Sequence, residues 1–145
     1  MNIPRTVIGA VRRAGLSAIL AFTSCQALAD IDSDLMVLSK LSVSALQCSI
    51  YASDKNESKR LLELGLKSGQ KYLALAAGNR DALERVYMRI PGTYTELDTP
   101  SADFFVGRTY GILESEFKKK LLESKETENY FRYKAYTSQN CLLVR

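Results

Sequence analysis

From residue 33 onward, the apolar residues of this chain recur at steps of three and four, and this spacing predicts α-helices over most of its length. Five residues with this spacing share one face of the first helix: Leu38, Leu41, Ala45, Cys48 and Ala52. Asp32 or Ser33 can cap the start of this helix. The spacing therefore favours an all-α fold.

Signals for helix ends divide the next part of the chain into two helices. Asp54, followed three residues later by Glu57, has the pattern of a capping box and predicts the start of a second helix. Gly78 and Asn79 predict that this helix ends with a left-handed residue. A shorter third helix begins at Asn79 or Asp81 and stops before the Pro-Gly pair at residues 91 and 92.

A fourth helix is predicted after Thr99 and Pro100, which fit the cap and the first helical position. Its apolar stripe consists of Val106, Tyr110, Leu113, Phe117 and Leu121. Residues 129–136 form a last short helix or continue the fourth one, and residues 137–145 resemble an extended tail held down by Cys141 and by apolar residues 142–144. Residues 30–145 are thus predicted to be one domain, a bundle of four to five helices.

The longest irregular segment is PGTYTELDTPS, residues 91–101. It presents Tyr94 and Leu97 beside Glu96 and Asp98, an apolar centre with an acidic rim. Loops on a rigid scaffold often carry binding residues, and tyrosine is enriched at binding hot spots. These four residues are therefore our candidates for partner binding. The alternative is that Tyr94 and Leu97 only pin the loop onto the helices.

Two glycine pairs lie inside predicted helices, where glycine is unfavourable compared with alanine. Gly65 and Gly69 belong to the second helix, and Gly107 and Gly111 belong to the fourth. Each pair allows another backbone to approach closely, so we expect the second and fourth helices to cross there. The alternative is that one pair faces outward and receives a partner.

Residues 1–29 have the pattern of a secretory signal peptide. Arg5, Arg12 and Arg13 precede nine uncharged residues, and Ala27 and Ala29 stand at the −3 and −1 positions of a cleavage site. The uncharged stretch is far shorter than the ~20 residues that span a bilayer. An ordinary N-terminal amphipathic helix is the alternative, although residues 14–22 show no polar face.

Cys25 offers a second interpretation of the same segment. If residues 22–25 form a lipid-attachment site, the mature chain starts at Cys25 and is held on a membrane. However, Phe22 replaces the aliphatic residue that usually stands three positions before such a cysteine. The sequence therefore favours a soluble periplasmic protein that starts at Asp30, with membrane contact only if Cys25 is lipidated.

After removal of the signal peptide, only Cys48 and Cys141 remain, and an even count in an exported protein indicates a disulfide. The bond would join residues 93 positions apart and remove roughly 4–5 kcal/mol of chain entropy from the unfolded state. Two buried free thiols or an intermolecular bond are the alternatives. Two thiols without any histidine are too few ligands for zinc.

The net charge falls from +4 to +1 on processing, because three of the 20 basic residues and none of the 16 acidic ones lie in residues 1–29. The short run Lys118, Lys119 and Lys120 is largely offset by nearby glutamates. A nucleic-acid-binding protein would keep a basic excess or stripe. We therefore expect no nucleic-acid partner.

The sequence contains no recognisable catalytic or cofactor-binding motif. Histidine, the usual general base near neutral pH, is absent, and both mature cysteines are predicted to be oxidised. The sequence shows neither a glycine-rich phosphate loop after a strand nor a Ser-x-x-Lys motif. We therefore expect a protein that is not an enzyme and that binds no cofactor and no metal.

Three segments carry a resemblance to known proteins: ALQCSIYA at residues 45–52, DFFVGRTYGIL at residues 103–113 and NCLLV at residues 140–144. Together they are similar to small exported proteins encoded on enterobacterial prophages and plasmids. More loosely, a signal peptide, four or five helices and a late cysteine resemble the periplasmic immunity proteins of type VI secretion amidase toxins. This second resemblance concerns architecture alone.

These features favour a periplasmic module that binds another protein, first of all an immunity or inhibitor protein against an envelope-acting toxin or enzyme. A lipid-anchored or phage-encoded envelope protein that excludes competing phage or blocks a receptor is the second possibility. A structural or stress-related envelope component is the third. The sequence does not identify the partner or the oligomeric state.

Overall fold

The computed structural model describes residues 15–95, 97 and 99–145, with the backbone alone for residues 15–29. These residues form five α-helices and no strand, which confirms the predicted all-α fold. The helices are α1 (Gly15–Tyr51), α2 (Lys55–Gly78), α3 (Arg80–Val86), α4 (Ala102–Ser124) and α5 (Glu128–Ser138). Short 3-10 turns lie at Tyr87–Arg89, Gly92–Tyr94 and Cys141–Leu143.

Helix α1 is continuous from Gly15, so the predicted start at Asp32 or Ser33 is wrong for the full-length chain. The Asp32 carboxylate does not cap a helix; it lies 2.7 Å from the Arg85 guanidinium of α3. The predicted signal peptide, its cleavage site after Ala29 and the alternative site at Cys25 lie outside the residues whose side chains are described. They remain predictions.

The caps agree with the sequence at the start of α2 and differ elsewhere. Asp54 Oδ1 accepts a hydrogen bond from Glu57 N at 2.8 Å, as the capping pattern predicted. Helix α2 ends at Gly78, but Asn79 there is not left-handed, with φ −139°. Helix α4 begins two residues later than predicted, because Ser101 caps it by accepting from Phe104 N at 3.1 Å.

Helix α1 is the centre of the bundle, since it contacts each of the other four helices. Its buried positions therefore occupy more than one face, and they include three serines, Ser39, Ser42 and Ser49. Ser39 and Ser49 donate to backbone carbonyls of their own helix, at 3.1 and 2.7 Å. Leu38 and Leu41, which the predicted stripe includes, are only half-buried.

The first glycine pair makes a close crossing, and α1 is the main partner rather than α4. A Cβ atom placed on Gly65 would lie 2.7 Å from Leu46 Cγ of α1. On Gly69 it would lie 2.6 Å from Val106 Cγ2 of α4 and 2.9 Å from Ser42 Oγ of α1. Glycine is needed at both positions because the neighbouring helices occupy the space of a side chain.

The second glycine pair takes no part in this crossing, so that part of the prediction is wrong. Gly107 and Gly111 are exposed, and a Cβ atom on either would meet no other atom within 4 Å. The buried side chains of α4 are Phe105, Val106, Thr109, Leu113 and Phe117. Because each residue turns the helix by about 100°, both glycines lie on the opposite face.

Helix α5 and the last turn form a C-terminal segment, residues 128–145, and no residue of α5 is buried. The predicted disulfide between Cys48 and Cys141 is present, with a Cα–Cα distance of 5.5 Å, and fastens the end of this segment to α1. Arg132 donates to the carbonyl of Ile50 and stacks 4.8 Å above the Phe117 ring. This segment is held by few contacts and one covalent bond.

Residues 137–145 are not the extended tail that the sequence suggested. Asn140 adopts a left-handed conformation, with φ 52°, and turns the chain into the 3-10 turn Cys141–Leu143. This turn exposes Leu142 and Leu143, so the leucines do not hold the end of the chain. Cys141 and the Val144 carbonyl do, since the latter accepts from Arg60 at 3.1 Å.

Candidate partner-binding surface

The predicted binding loop is ordered around Tyr94, whose side chain has no exposed area. Its ring makes edge contacts with Tyr72 of α2 and Phe105 of α4, with ring centroids 5.0 Å apart in both pairs. The prediction that Tyr94 contacts a partner is therefore wrong, because a fully buried side chain cannot reach one. For Tyr94, these contacts agree with the alternative that Tyr94 and Leu97 pin the loop onto the helices.

A buried hydrogen-bond network explains how Tyr94 is accommodated. The Ser42 hydroxyl donates to the Gly65 carbonyl at 2.6 Å. Its single proton is thereby used, so the Tyr94 hydroxyl donates to Ser42 Oγ. Tyr72 Oη donates to the Tyr94 carbonyl at 2.7 Å. Gly69 leaves the space for this network, since a Cβ atom there would lie 3.0 Å from Tyr94 Oη.

Burial raises the pKa of Tyr94 and of Tyr72 above the ordinary value, so both phenols stay neutral over the physiological range. Neutral hydroxyls that are fully hydrogen-bonded cost little to bury, whereas an unpaired hydroxyl would be expensive. The network therefore fixes the start of the loop rigidly against α1 and α2.

After Tyr94 the chain forms one wall of an open cleft of about 790 Å³. Leu97 is half-buried and lines this cleft. The structure thus places this predicted binding residue at a surface recess. Glu96 and Asp98 lie outside the described residues, and the acidic rim remains a prediction. The loop also contributes Thr95 and Thr99 to the lining.

Helices α2 and α3 form the other side of the cleft. Leu73 and Ala77 of α2 and Leu83 of α3 supply aliphatic surface. Arg80 and Glu84, both exposed on α3, add one charge of each sign. This side was not among the predicted binding residues, because its residues come from two helices that are separated in the sequence from the loop.

Three exposed apolar residues lie in the cleft lining or close to it in the sequence. Tyr87 lines it and is half-exposed, and the next residue, Met88, is 90% exposed. Phe104, which is also exposed, follows the lining residues Ser101 and Ala102 at the start of α4. Large exposed apolar patches mark interaction sites on monomeric proteins, and Tyr87 places one exposed aromatic side chain in the cleft itself.

A second exposed surface is the outer face of α4, defined by Phe104, Gly107, Gly111 and Ile112. The outward orientation of the second glycine pair corresponds to the alternative that the sequence left open. Among the described residues, no atom of another element lies within 4 Å of the position that a Cβ atom would take on either glycine.

A metal cluster or a membrane-spanning helix would also define a functional site. Among the described residues, no group of three or more histidine, cysteine or acidic side chains is arranged to hold a metal ion. None of the helices in that part combines the length and the apolar character needed to cross a membrane.

Comparison of the chain with protein-family models, with curated proteins and with solved structures found no match in any of the three. The resemblances to prophage-encoded exported proteins and to immunity proteins therefore stay predictions. The geometry of the cleft is the basis on which a function can be argued.

Proposed function

We propose that this chain is an exported protein-binding module of the immunity or inhibitor type and that it holds its partner in the cleft between α2, α3 and the lining residues Thr95, Leu97 and Thr99. The observation that carries the proposal is the cleft itself, about 790 Å³ in volume, with the exposed Tyr87 in its lining and the exposed Met88 next to Tyr87 in the sequence. Aromatic residues and methionine are enriched in the cores of protein interfaces. The periplasm is the proposed compartment, in line with the predicted signal peptide.

The rigidity of the walls supports tight binding. Residue 94 is fixed by the buried network, and Gln70 of α2 donates to Asp103 of α4 at 2.7 Å close to the cleft. Thr95 Oγ1 donates to the Gly92 carbonyl at 2.7 Å and steadies the loop. A surface that is already ordered loses little conformational entropy on binding, which favours an inhibitor that must stay bound.

The lining also indicates what kind of partner segment fits. The aliphatic side chains would receive apolar anchors, and Arg80 and Glu84 would pair with charges of both signs at the rim. The acidic rim that the sequence predicts at Glu96 and Asp98 would favour a basic partner, such as the positively charged cleft of a toxin. We propose that the partner inserts a loop or helix into this space.

The test is partner capture by the mature protein from envelope extracts, followed by affinity measurements with the purified partner. The double variant Tyr87→Ala, Arg80→Glu changes two cleft residues that are exposed, so its melting temperature should match that of the wild type. We expect its affinity to fall at least tenfold, since an aromatic anchor and a charge are lost together.

The matched control is Tyr130→Ala, Lys59→Glu, which truncates one tyrosine and reverses one positive charge on exposed residues away from the cleft. The control should bind like the wild type. Equal affinity of the cleft variant and the wild type would show that the cleft is not the binding surface. If no envelope protein binds the mature chain specifically, the proposed function is wrong.

A further inference from the structure

A second recess lies where α1 turns into α2, at the opposite end of α2 from the cleft. It has a volume of about 230 Å³. Its lining residues are Tyr51, Ala52, Ser53, Asp54, Glu57, Tyr133 and Tyr136. We refer to this site as the tyrosine recess. Tyr51 is buried, Tyr136 is half-buried, and Tyr133 of α5 is 67% exposed, so the rings extend from the base of the recess to its rim.

The lining combines aromatic rings with negative charge. Asp54 and Glu57 carry carboxylates, and no basic residue is found among the described residues that line the recess. Arg60 lies outside the lining and offsets part of the charge of Glu57, at 2.7 Å. Hydrogen bonds from Arg60 and Tyr136 hold the pKa of Glu57 below its usual value, so this carboxylate is ionised at neutral pH. The electrostatic field in the recess favours a cation.

Donors of the protein already occupy most acceptor sites of the Glu57 carboxylate, and this decides which cation fits the recess. Arg60 donates to both carboxylate oxygens, at 2.7 and 2.8 Å, and Tyr136 Oη donates to Oε1 at 3.0 Å. Asp54 Oδ1 accepts from Glu57 N. A primary ammonium brings three donors that need acceptors, whereas a quaternary ammonium brings none. The faces of aromatic rings attract such a cation directly.

We infer that the tyrosine recess binds the quaternary ammonium group of a small ligand, of the kind carried by choline. The volume equals on the order of eight water molecules at ~30 Å³ each, enough for a trimethylammonium group and its first methylenes. Tyr51 and Tyr136 form the base, and Tyr133 closes over the cation from α5. The ligand is a free small molecule or a lipid headgroup, since both present the same group.

The experiment is a titration of the mature protein with choline chloride, observed by NMR of the tyrosine ring resonances at constant ionic strength. We expect saturable shifts of Tyr51, Tyr133 and Tyr136 with a Kd in the millimolar range, as suits a ligand of this size. The neutral analogue 3,3-dimethylbutan-1-ol has the same shape without the charge. Equal binding of this analogue would overturn the inference, since the recess would then be merely apolar.

Tyr133→Ala removes a ring that is mostly exposed, so the variant should fold normally and bind choline about fivefold more weakly. Tyr133→Phe keeps the ring and should retain binding. Tyr130→Ala is the matched control, because Tyr130 is 56% exposed on the same helix and does not line the recess. Unchanged choline affinity of Tyr133→Ala would also overturn the inference.

Sedimentation with phosphatidylcholine vesicles separates the two sources of the ligand. Co-sedimentation that choline competes away supports a lipid headgroup, and choline binding without co-sedimentation supports a free ligand. If neither choline nor the vesicles bind, the inference is wrong. These outcomes do not depend on the cleft, whose variants leave the recess unchanged.

Discussion

The α1–α2 crossing and the C-terminal segment are both parts of one small bundle, yet they are held together in different ways. At the crossing, glycines bring backbones together, and a buried network of Ser42, Tyr72 and Tyr94 fills the space. Helix α5 buries no residue and depends on Arg132, Tyr136 and the disulfide at Cys141. A small domain can therefore compensate for limited apolar burial in one region with a covalent bond.

The disulfide should give the largest effect. In a Cys48→Ala, Cys141→Ala variant we expect the free energy of unfolding to fall by about 2–5 kcal/mol, because the unfolded chain regains the freedom of a 93-residue loop. Urea denaturation measures this change. Hydrogen exchange should show that α5 loses protection while α1 and α2 keep theirs. Two alkylatable thiols in wild-type protein from the periplasm would contradict the assignment.

Gly69→Ala tests the crossing. Alanine is the better helix former, but its Cβ would lie 2.6 Å from Val106 Cγ2 and 2.9 Å from Ser42 Oγ. We expect a net loss of about 1–3 kcal/mol, as for overpacking in a core. Thermal or urea unfolding measures it. A variant as stable as the wild type would show that the crossing can relax and is not close-packed.

The free energy of unfolding should fall at alkaline pH, because a tyrosine buried at the α1–α2 crossing resists ionisation in the folded state. Burial raises the folded-state pKa of Tyr94 above 10.0, so the unfolded chain loses the phenolic proton first as pH rises. The contribution of Tyr94 to the free energy of unfolding is fully present below pH 10. Above pH 10 it should fall by up to about 1.4 kcal/mol per pH unit. Comparing the pH dependence of unfolding in wild type and Tyr94→Phe isolates this contribution. Identical slopes would rule out Tyr94 as its source.

Gly107→Ala should change the free energy of unfolding least, and it should raise this free energy, whereas the preceding changes lower it. This glycine is exposed, and a Cβ atom there meets nothing within 4 Å. The variant should be more stable by about 0.5–1 kcal/mol, because alanine has the higher helix propensity. It is the matched control for Gly69→Ala in the same unfolding assay. Destabilisation would indicate that the outer face of α4 is covered in solution.

Part of the candidate site was predictable from the sequence and part was not. The irregular segment 91–101 was recognised from its prolines and its lack of helical spacing, and Leu97 does line a cleft. Tyr94 was misjudged because a tyrosine in a loop gives no local sign of whether its ring turns inward. The space that receives it is made by Gly69, 25 positions away in the sequence.

The sequence by itself predicted the all-α fold and the Cys48–Cys141 disulfide, but not every helix boundary. Apolar spacing and the Asp54–Glu57 cap are local properties of the chain, and two cysteines after the predicted cleavage site leave a single intramolecular pairing. Only the tertiary structure decided the rest. It placed Gly69 inside and Gly107 outside, buried Tyr94 and exposed Leu142 and Leu143. The physical reason is that spacing marks which residues share a face, whereas the packing of distant helices determines which faces are covered.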